Sequence, residues 1–175
     1  YNAIKNNENG GEKADDKEYV LEVVKKSGKF LDLASENIKD DKDVVSEAIK
    51  QDPTALEFAS DNLKNNKEIV MLSTSKLGWS VCYISDRLRA DKELMMEAVK
   101  ADGQALYYAS KELRDDDEVV LQAVKKKGLI YKYASKRLRT VKEIAMEAIK
   151  QDKRAKEYIS NEELFNDEDI KALLE

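Results

Sequence analysis

The sequence predicts an all-α solenoid of about six tandem 25-residue two-helix repeats, of either hand. Three observations predict it. The pattern of residues 91–115, DKELMMEAVKADGQALYYASKELRD, starts again near 16, 41, 66, 116 and, more loosely, 141. Within each unit, apolar residues recur with a helical period, and a Gly or Pro then interrupts them. A fixed period in this range marks a stacked repeat, because one unit cannot bury its apolar face alone.

Residues 1–15 are rich in Asn, Gly, Glu and Lys and read as a flexible linker, with Asn2–Lys5 a faint echo of a later EAIK. The array follows over 16–166. Each repeat opens on a cap residue standing three before an acid, at Asp15, Asp40, Asn65, Asp115, Thr140 and Asn166. A side-chain oxygen there accepts an orphan amide, and the acid favours the positive helix end. Ala90 breaks the series, and Asp91 takes over its capping. Apolar residues such as Val44, Val45, Ala48 and Ile49 form one stripe of a helix of about three turns. Ala at the eighth position lets a neighbour approach closely. Gly28, Gly78, Gly103 and Gly128 mark the stop, as left-handed residues after the helix end. Pro53 does so in the second unit, because it cannot continue a helix.

A shorter second helix follows, carrying Leu33, Phe58, Tyr83, Tyr108, Tyr133 and Tyr158 in register. This column belongs to a periodic apolar face and is expected in the core; the alternative is a stacking ladder for a ligand. The Ser column from Ser35 to Ser160 caps a last short turn, which the Leu three residues on pins to the core. Phosphate binding is its alternative role. The column Lys39, Lys64, Arg89, Arg114 and Arg139 is expected to pair with the acidic start of the next long helix. Residues 167–175 read as a terminal capping helix or a shortened further repeat.

The run D-K-E-V-V-x-x-A-V-K-x-x-G, closed by Y-A-S-x-x-L-[KR], is similar to a repeat family catalogued as domain of unknown function 4116, found in tandem in bacterial, protist and viral proteins. The resemblance covers about residues 16–166 and implies a helical repeat array with no assigned activity and no functional residues to transfer. The third unit departs most, with Leu72, Ser73, Thr74 and Ser75 in place of E-A-V-K.

Composition narrows the function. Charged residues are 38% and the net charge is -5, which disfavours a nucleic-acid partner. No apolar run approaches membrane-span length, so no membrane partner is expected. Histidine is absent, which removes the commonest general base and metal ligand. Cys82 has no histidine to activate it, and no Gly-rich phosphate loop or metal-ligand spacing occurs. The expectation is a protein without catalytic residues, metal, cofactor or small-molecule substrate. The single Cys82 and the lack of a basic-then-apolar leader favour a cytoplasmic setting, for a chain that opens on Tyr1 and reads as a segment of something longer.

Partner binding has two candidate surfaces. Trp79, Cys82, Tyr107 and Leu129 stand at positions mostly polar in the other repeats, and the spacing assigns them to one outer face. Trp79 either anchors a partner there or folds over the polar helix of its own unit. Residues 41–65 carry six acidic and three basic groups, whereas 116–140 carry three and seven. Lys126, Lys132, Lys136 and Arg137, with Lys125, Lys127 and Arg139, form a positive patch suited to an acidic or phosphorylated segment, or else a solvated face. The leading expectation is a scaffold for an unidentified protein or peptide. The alternatives are an anion or nucleic-acid binder using the fifth repeat, and a passive spacer or targeting arm for a catalytic domain elsewhere.

Overall fold

The computed structural model describes residues 13–175. No strand occurs among them, and the fold is an all-α solenoid of tandem repeats. The chain divides into two compact units, one ending at Ser85 and the other beginning at Asp86, so the division falls inside the third repeat. The expected linker lies outside the described residues up to residue 12. Its end is not linker-like: Lys13 and Ala14 are helical, and the Ala14 carbonyl accepts the Ser35 N–H at 2.8 Å.

The N-terminal unit contains the long helices α1 (Lys17–Lys26), α2 (Lys42–Gln51) and α3 (Lys67–Thr74), packed in that order. The C-terminal unit contains α4 (Lys92–Ala101), α5 (Asp117–Lys126), α6 (Lys142–Gln151) and α7 (Glu168–Leu174), again packed in sequence. Asp91 caps α4 as expected, and the other caps lie one residue later than the expected series. Asp16, Asp41, Asn66, Asp91 and Asp116 accept amides of the first turn, Asp91 from Leu94 at 3.0 Å, while Val141 caps with backbone alone. The acid three residues after the expected cap thus sits two after the real one, still inside the positive first turn. α2, α4, α5 and α6 bury the whole predicted stripe, as Val44, Val45, Ala48 and Ile49 in α2 and Val119, Val120, Ala123 and Val124 in α5, whereas α1 buries only Val20 and Val24 of it.

The second segment of each repeat is a six-residue 3₁₀ helix rather than an α-helix: Gly28–Leu33, Pro53–Phe58, Gly78–Tyr83, Gly103–Tyr108, Gly128–Tyr133 and Lys153–Tyr158. Side chains three apart eclipse in this winding. The buried stripe accordingly runs Gly103, Leu106, Ala109 and Gly128, Tyr131, Ala134, with Ala105 and Ile130 buried beside it. The column Leu33, Phe58, Tyr83, Tyr108, Tyr133 and Tyr158 falls off that stripe and is only half-buried, which corrects its assignment to the core. At about 2.0 Å per residue, six residues of 3₁₀ span about 12 Å, close to the roughly 15 Å of a ten-residue α-helix, so the two layers of a repeat match in length.

The glycines also act differently from expectation. None has a positive φ among the described residues. Their place is one of close approach: a Cβ on Gly103 would lie 2.5 Å from the Ala123 carbonyl oxygen, and those on Gly28 and Gly128 would strike the carbonyls of Ala48 and Ala148. The small residue at the eighth position and the glycine of the preceding repeat thus make one contact, 20 residues apart.

Each repeat ends on a short turn such as Glu36–Lys39, Asp61–Lys64 or Leu138–Thr140. Ser35, Ser60, Ser110 and Ser135 cap it, each accepting the N–H three residues on. In the sixth repeat Asn161 replaces Ser160 in that role, in step with the inserted residue. The serines also join repeats. Their N–H groups donate to the carbonyl 21 residues earlier, as from Ser60 to Lys39 at 2.9 Å and from Ser135 to Arg114 at 2.8 Å. Their hydroxyls donate to the residue 20 earlier: Ser35 to Asp15 at 2.6 Å, Ser85 to Asn65 at 2.7 Å, Ser60 to Asp40 and Ser135 to Asp115. The residues expected to cap helices are therefore acceptors for the next repeat's serine.

Ion pairs between repeats come from another column than expected. Lys17, Lys92 and Lys142 each reach two acids at the start of the next long helix, Lys92 meeting Asp116 at 2.9 Å and Glu118 at 3.0 Å. Lys39 and Arg89 instead pair three residues back, with Glu36 at 3.1 Å and Asp86 at 3.2 Å. Such exposed pairs contribute under about 1 kcal/mol each.

The divergent third unit carries polar groups into the core. Ser73, Thr74 and Ser80 are fully buried. The Ser73 hydroxyl donates to the Pro53 carbonyl at 2.7 Å and accepts from Ser80 at 2.8 Å. Thr74 Oγ1 has no partner, and it stands where the other repeats have Val or Ile. A buried hydroxyl left unbonded costs about 1–3 kcal/mol. Thr74→Val keeps the shape and removes that cost, so it is expected to stabilise the protein by about 1 kcal/mol, read as a higher midpoint in urea unfolding. A lower midpoint rules this account out.

Candidate functional site

A groove recurs where the closing turn of one repeat faces the end of the next 3₁₀ helix and the serine turn beyond it. The serine that donates its N–H to the carbonyl 21 residues earlier is among its lining residues. In the C-terminal unit, the groove between the fourth and fifth repeats has a volume of about 400 Å³. Lys111 and Arg114 line it from the fourth repeat; Lys132, Tyr133, Lys136 and Arg139 line it from the fifth. The Ser135 hydroxyl on its wall is already engaged with Asp115 and the Leu138 amide. Asp115 is held below the usual carboxylate range, first by Ser135 and then by Arg137, whose Nε lies 3.0 Å away.

Beside the groove stands an aromatic ledge. Tyr107 is 51% exposed, and its ring meets those of Tyr108 and Tyr133 edge-on, each at 4.8 Å between centroids. Lys132 Nζ lies 4.8 Å from the centre of the Tyr133 ring, within cation–π range. Tyr133 touches a residue 26 positions earlier, and the same offset joins Tyr83 to Glu57 in the N-terminal unit. There burial first, with Cys82 and Glu57 beside it, pushes the Tyr83 phenol up to about 12.

The predicted residues divide among these places. Trp79 and Cys82, three apart on the 3₁₀ helix Gly78–Tyr83, are both half-buried in the N-terminal unit, and the Trp79 ring tilts against Tyr83 at 5.9 Å. Tyr107 and Leu129 belong to the C-terminal unit, on adjacent packed 3₁₀ helices, and Leu129 is half-buried. Of the predicted basic patch, Lys132, Lys136 and Arg139 line the groove. Arg137 does not; it is held by Asp115 and Asp117, the latter at 2.8 Å. Lys126 is exposed in the last turn of α5, and Lys125 borders a separate hollow with Glu143 and Glu147. Lys111 lies outside the basic run and carried no expectation, and Arg114 was expected only in the inter-repeat ion-pair column. Their signal was present one period earlier, at the register positions of Lys136 and Arg139.

Among the described residues no group of three or more His, Cys, Asp or Glu is placed to hold a metal ion, and no helix is long and apolar enough to cross a membrane. A family model described as "Domain of unknown function (DUF4116)" matches residues 16–64, 45–89, 66–114 and 116–165 in tandem, the first three overlapping. No curated protein and no solved structure matches the chain.

Proposed function

The chain belongs to the DUF4116 repeat family, whose description assigns no activity, and from that premise we propose that it is a non-enzymatic scaffold that binds a protein or peptide partner. The observation that carries this reading is Tyr107. A large ring half in water, braced edge-on by Tyr108 and Tyr133, is a rigid anchor that loses little side-chain freedom when covered. The cations of the adjoining groove give the partner segment its expected character, which is acidic.

Selection of peptides from a displayed random library against the whole chain tests the reading. Enriched peptides are expected to be acidic and to contain apolar side chains, and to bind Tyr107→Ala/Tyr133→Ala at least tenfold more weakly. Equal binding to that double variant would remove the ledge from the site.

A further inference from the structure

We propose that the groove between the fourth and fifth repeats binds a phosphate monoester carried on a protein segment; this rests on the partner-binding reading and names the group that is recognised. The protein contains its own comparison. The equivalent groove of the N-terminal unit, of about 330 Å³, is lined by Glu36, Glu57 and Asp61 against Lys39 and Lys64. The groove between the third turn and the fourth repeat retains one acid, Asp86, among Arg89, Lys111 and Arg114. In the basic groove no acid remains, and five cations line it. The repeat builds the same cavity each time and varies its charge.

The substitution pattern removes the carboxylate three residues before Arg114 and Arg139. In the turns that begin with Glu36 and Asp86, the basic residue three positions on pairs with the acid, as Lys39–Glu36 and Arg89–Asp86, whereas Asp61 and Lys64 do not pair. The fourth and fifth repeats place Lys111 and Lys136 at that acidic position. Arg114 and Arg139 thereby lose their partner, and the Nε of each is buried without a hydrogen bond. Among the described residues none of the five cations forms an ion pair. Arg114 and Arg139 line the cavity without a carboxylate partner, and an oxyanion bound there supplies one.

A phosphate monoester fits this demand better than a carboxylate. It carries close to two charges and three acceptor oxygens, enough for two guanidinium groups and the flanking ammonium groups together. A polyanion fits less well. Nucleic acid binds along a continuous basic track, whereas the N-terminal unit lines its equivalent groove with three acids. The ledge formed by Tyr107 and Tyr133 then receives the side chain next to the phosphorylated residue.

Fluorescence anisotropy on the whole chain, with a labelled phosphoserine peptide pool of random flanking sequence, tests the proposal. The unphosphorylated pool and a single-stranded oligonucleotide serve as competitors. The decisive variant is Lys111→Asp/Lys136→Asp, which restores at both positions the acid that the Asp86–Arg89 turn already tolerates, so folding is expected to be retained. The wild type is expected to bind the phosphorylated pool at least tenfold more tightly than the unphosphorylated one. The Asp variant is expected to lose that preference while keeping the urea midpoint of the wild type. Equal binding of both pools, an unchanged preference in the Asp variant, or stronger competition by the oligonucleotide overturns the proposal. The Tyr107→Ala/Tyr133→Ala variant separates the two readings. Loss of overall affinity with the phosphate preference intact supports the ledge and the groove together. A preference that survives the Asp variant but not the Tyr variant sinks the groove and leaves the ledge standing.

Discussion

Truncation of Tyr131 to alanine is expected to cost about 3–5 kcal/mol, whereas the same truncation of Tyr133, two residues on in the same 3₁₀ helix, is expected to cost about 1 kcal/mol. The two share residue type and local winding, so the difference isolates burial. Tyr131 is fully enclosed, and its hydroxyl donates to the Arg139 carbonyl at 2.8 Å. Its phenol is accordingly pushed well up by desolvation. Tyr133 is half-buried and rests on Tyr107. Urea unfolding followed by helical circular dichroism measures both. Comparable losses would mean that the segment does not hold the three-residue winding in solution. Tyr131→Phe is a milder test, expected to cost about 1 kcal/mol, because the Arg139 carbonyl still accepts the Ser160 N–H at 3.1 Å.

The second large effect is expected at Gly103. Two opposing effects meet there, and their magnitudes decide the sign. Gly103 has no positive φ, so alanine is conformationally allowed and restricts the unfolded chain, an expected gain of about 0.4–1 kcal/mol. Against this, the new methyl lands 2.5 Å from the Ala123 carbonyl oxygen and 3.1 Å from the Lys126 Cβ. That carbonyl is fixed in the last turn of α5, where it also accepts the Lys127 N–H at 3.0 Å. Relief requires the fourth and fifth repeats to move apart, and overpacking of this kind costs about 1–3 kcal/mol. Gly103→Ala is therefore expected to lower the urea midpoint by the equivalent of about 2 kcal/mol. A raised midpoint would show that the inter-repeat approach is looser than the geometry states.

Both effects follow from how the repeats join. The join is a set of contacts at fixed offsets: glycine to carbonyl across 20 residues, serine hydroxyl to acid across 20, and serine amide to carbonyl across 21. Because the backbone contacts carry the stacking, side chains lining the inter-repeat groove are free to change charge. That freedom explains how Glu36 and Asp61 occupy the register of Lys111 and Lys136 without altering the fold. The acid–serine links are pH-sensitive in a defined direction. Asp40 and Asp115 are held below their ordinary value of 3.8, mainly by their serine donors. Their contribution is present above the unfolded value and is lost as pH falls through the lower folded one. Asn65 makes the same link without a charge and is exempt.

The sequence by itself determined the repeat, its 25-residue period, the apolar stripe of each long helix and the serine that closes each unit. These depend on short-range rules: a 3.6-residue period for Val44 to Ile49, and a hydroxyl three residues from its amide for Ser60 and Leu63. Only the tertiary structure decided the winding of the second segment, the reason for its glycines and the membership of the basic groove. The stripe Gly103–Leu106–Ala109 differs from an α-helical stripe by a fraction of a residue per turn, too little to read over six residues. Gly103 is required by a carbonyl that arrives from the following repeat. Lys111 joins Lys136 in one cavity because stacking converts a 25-residue separation into adjacency, so chemistry read along one segment of chain misses half of the site.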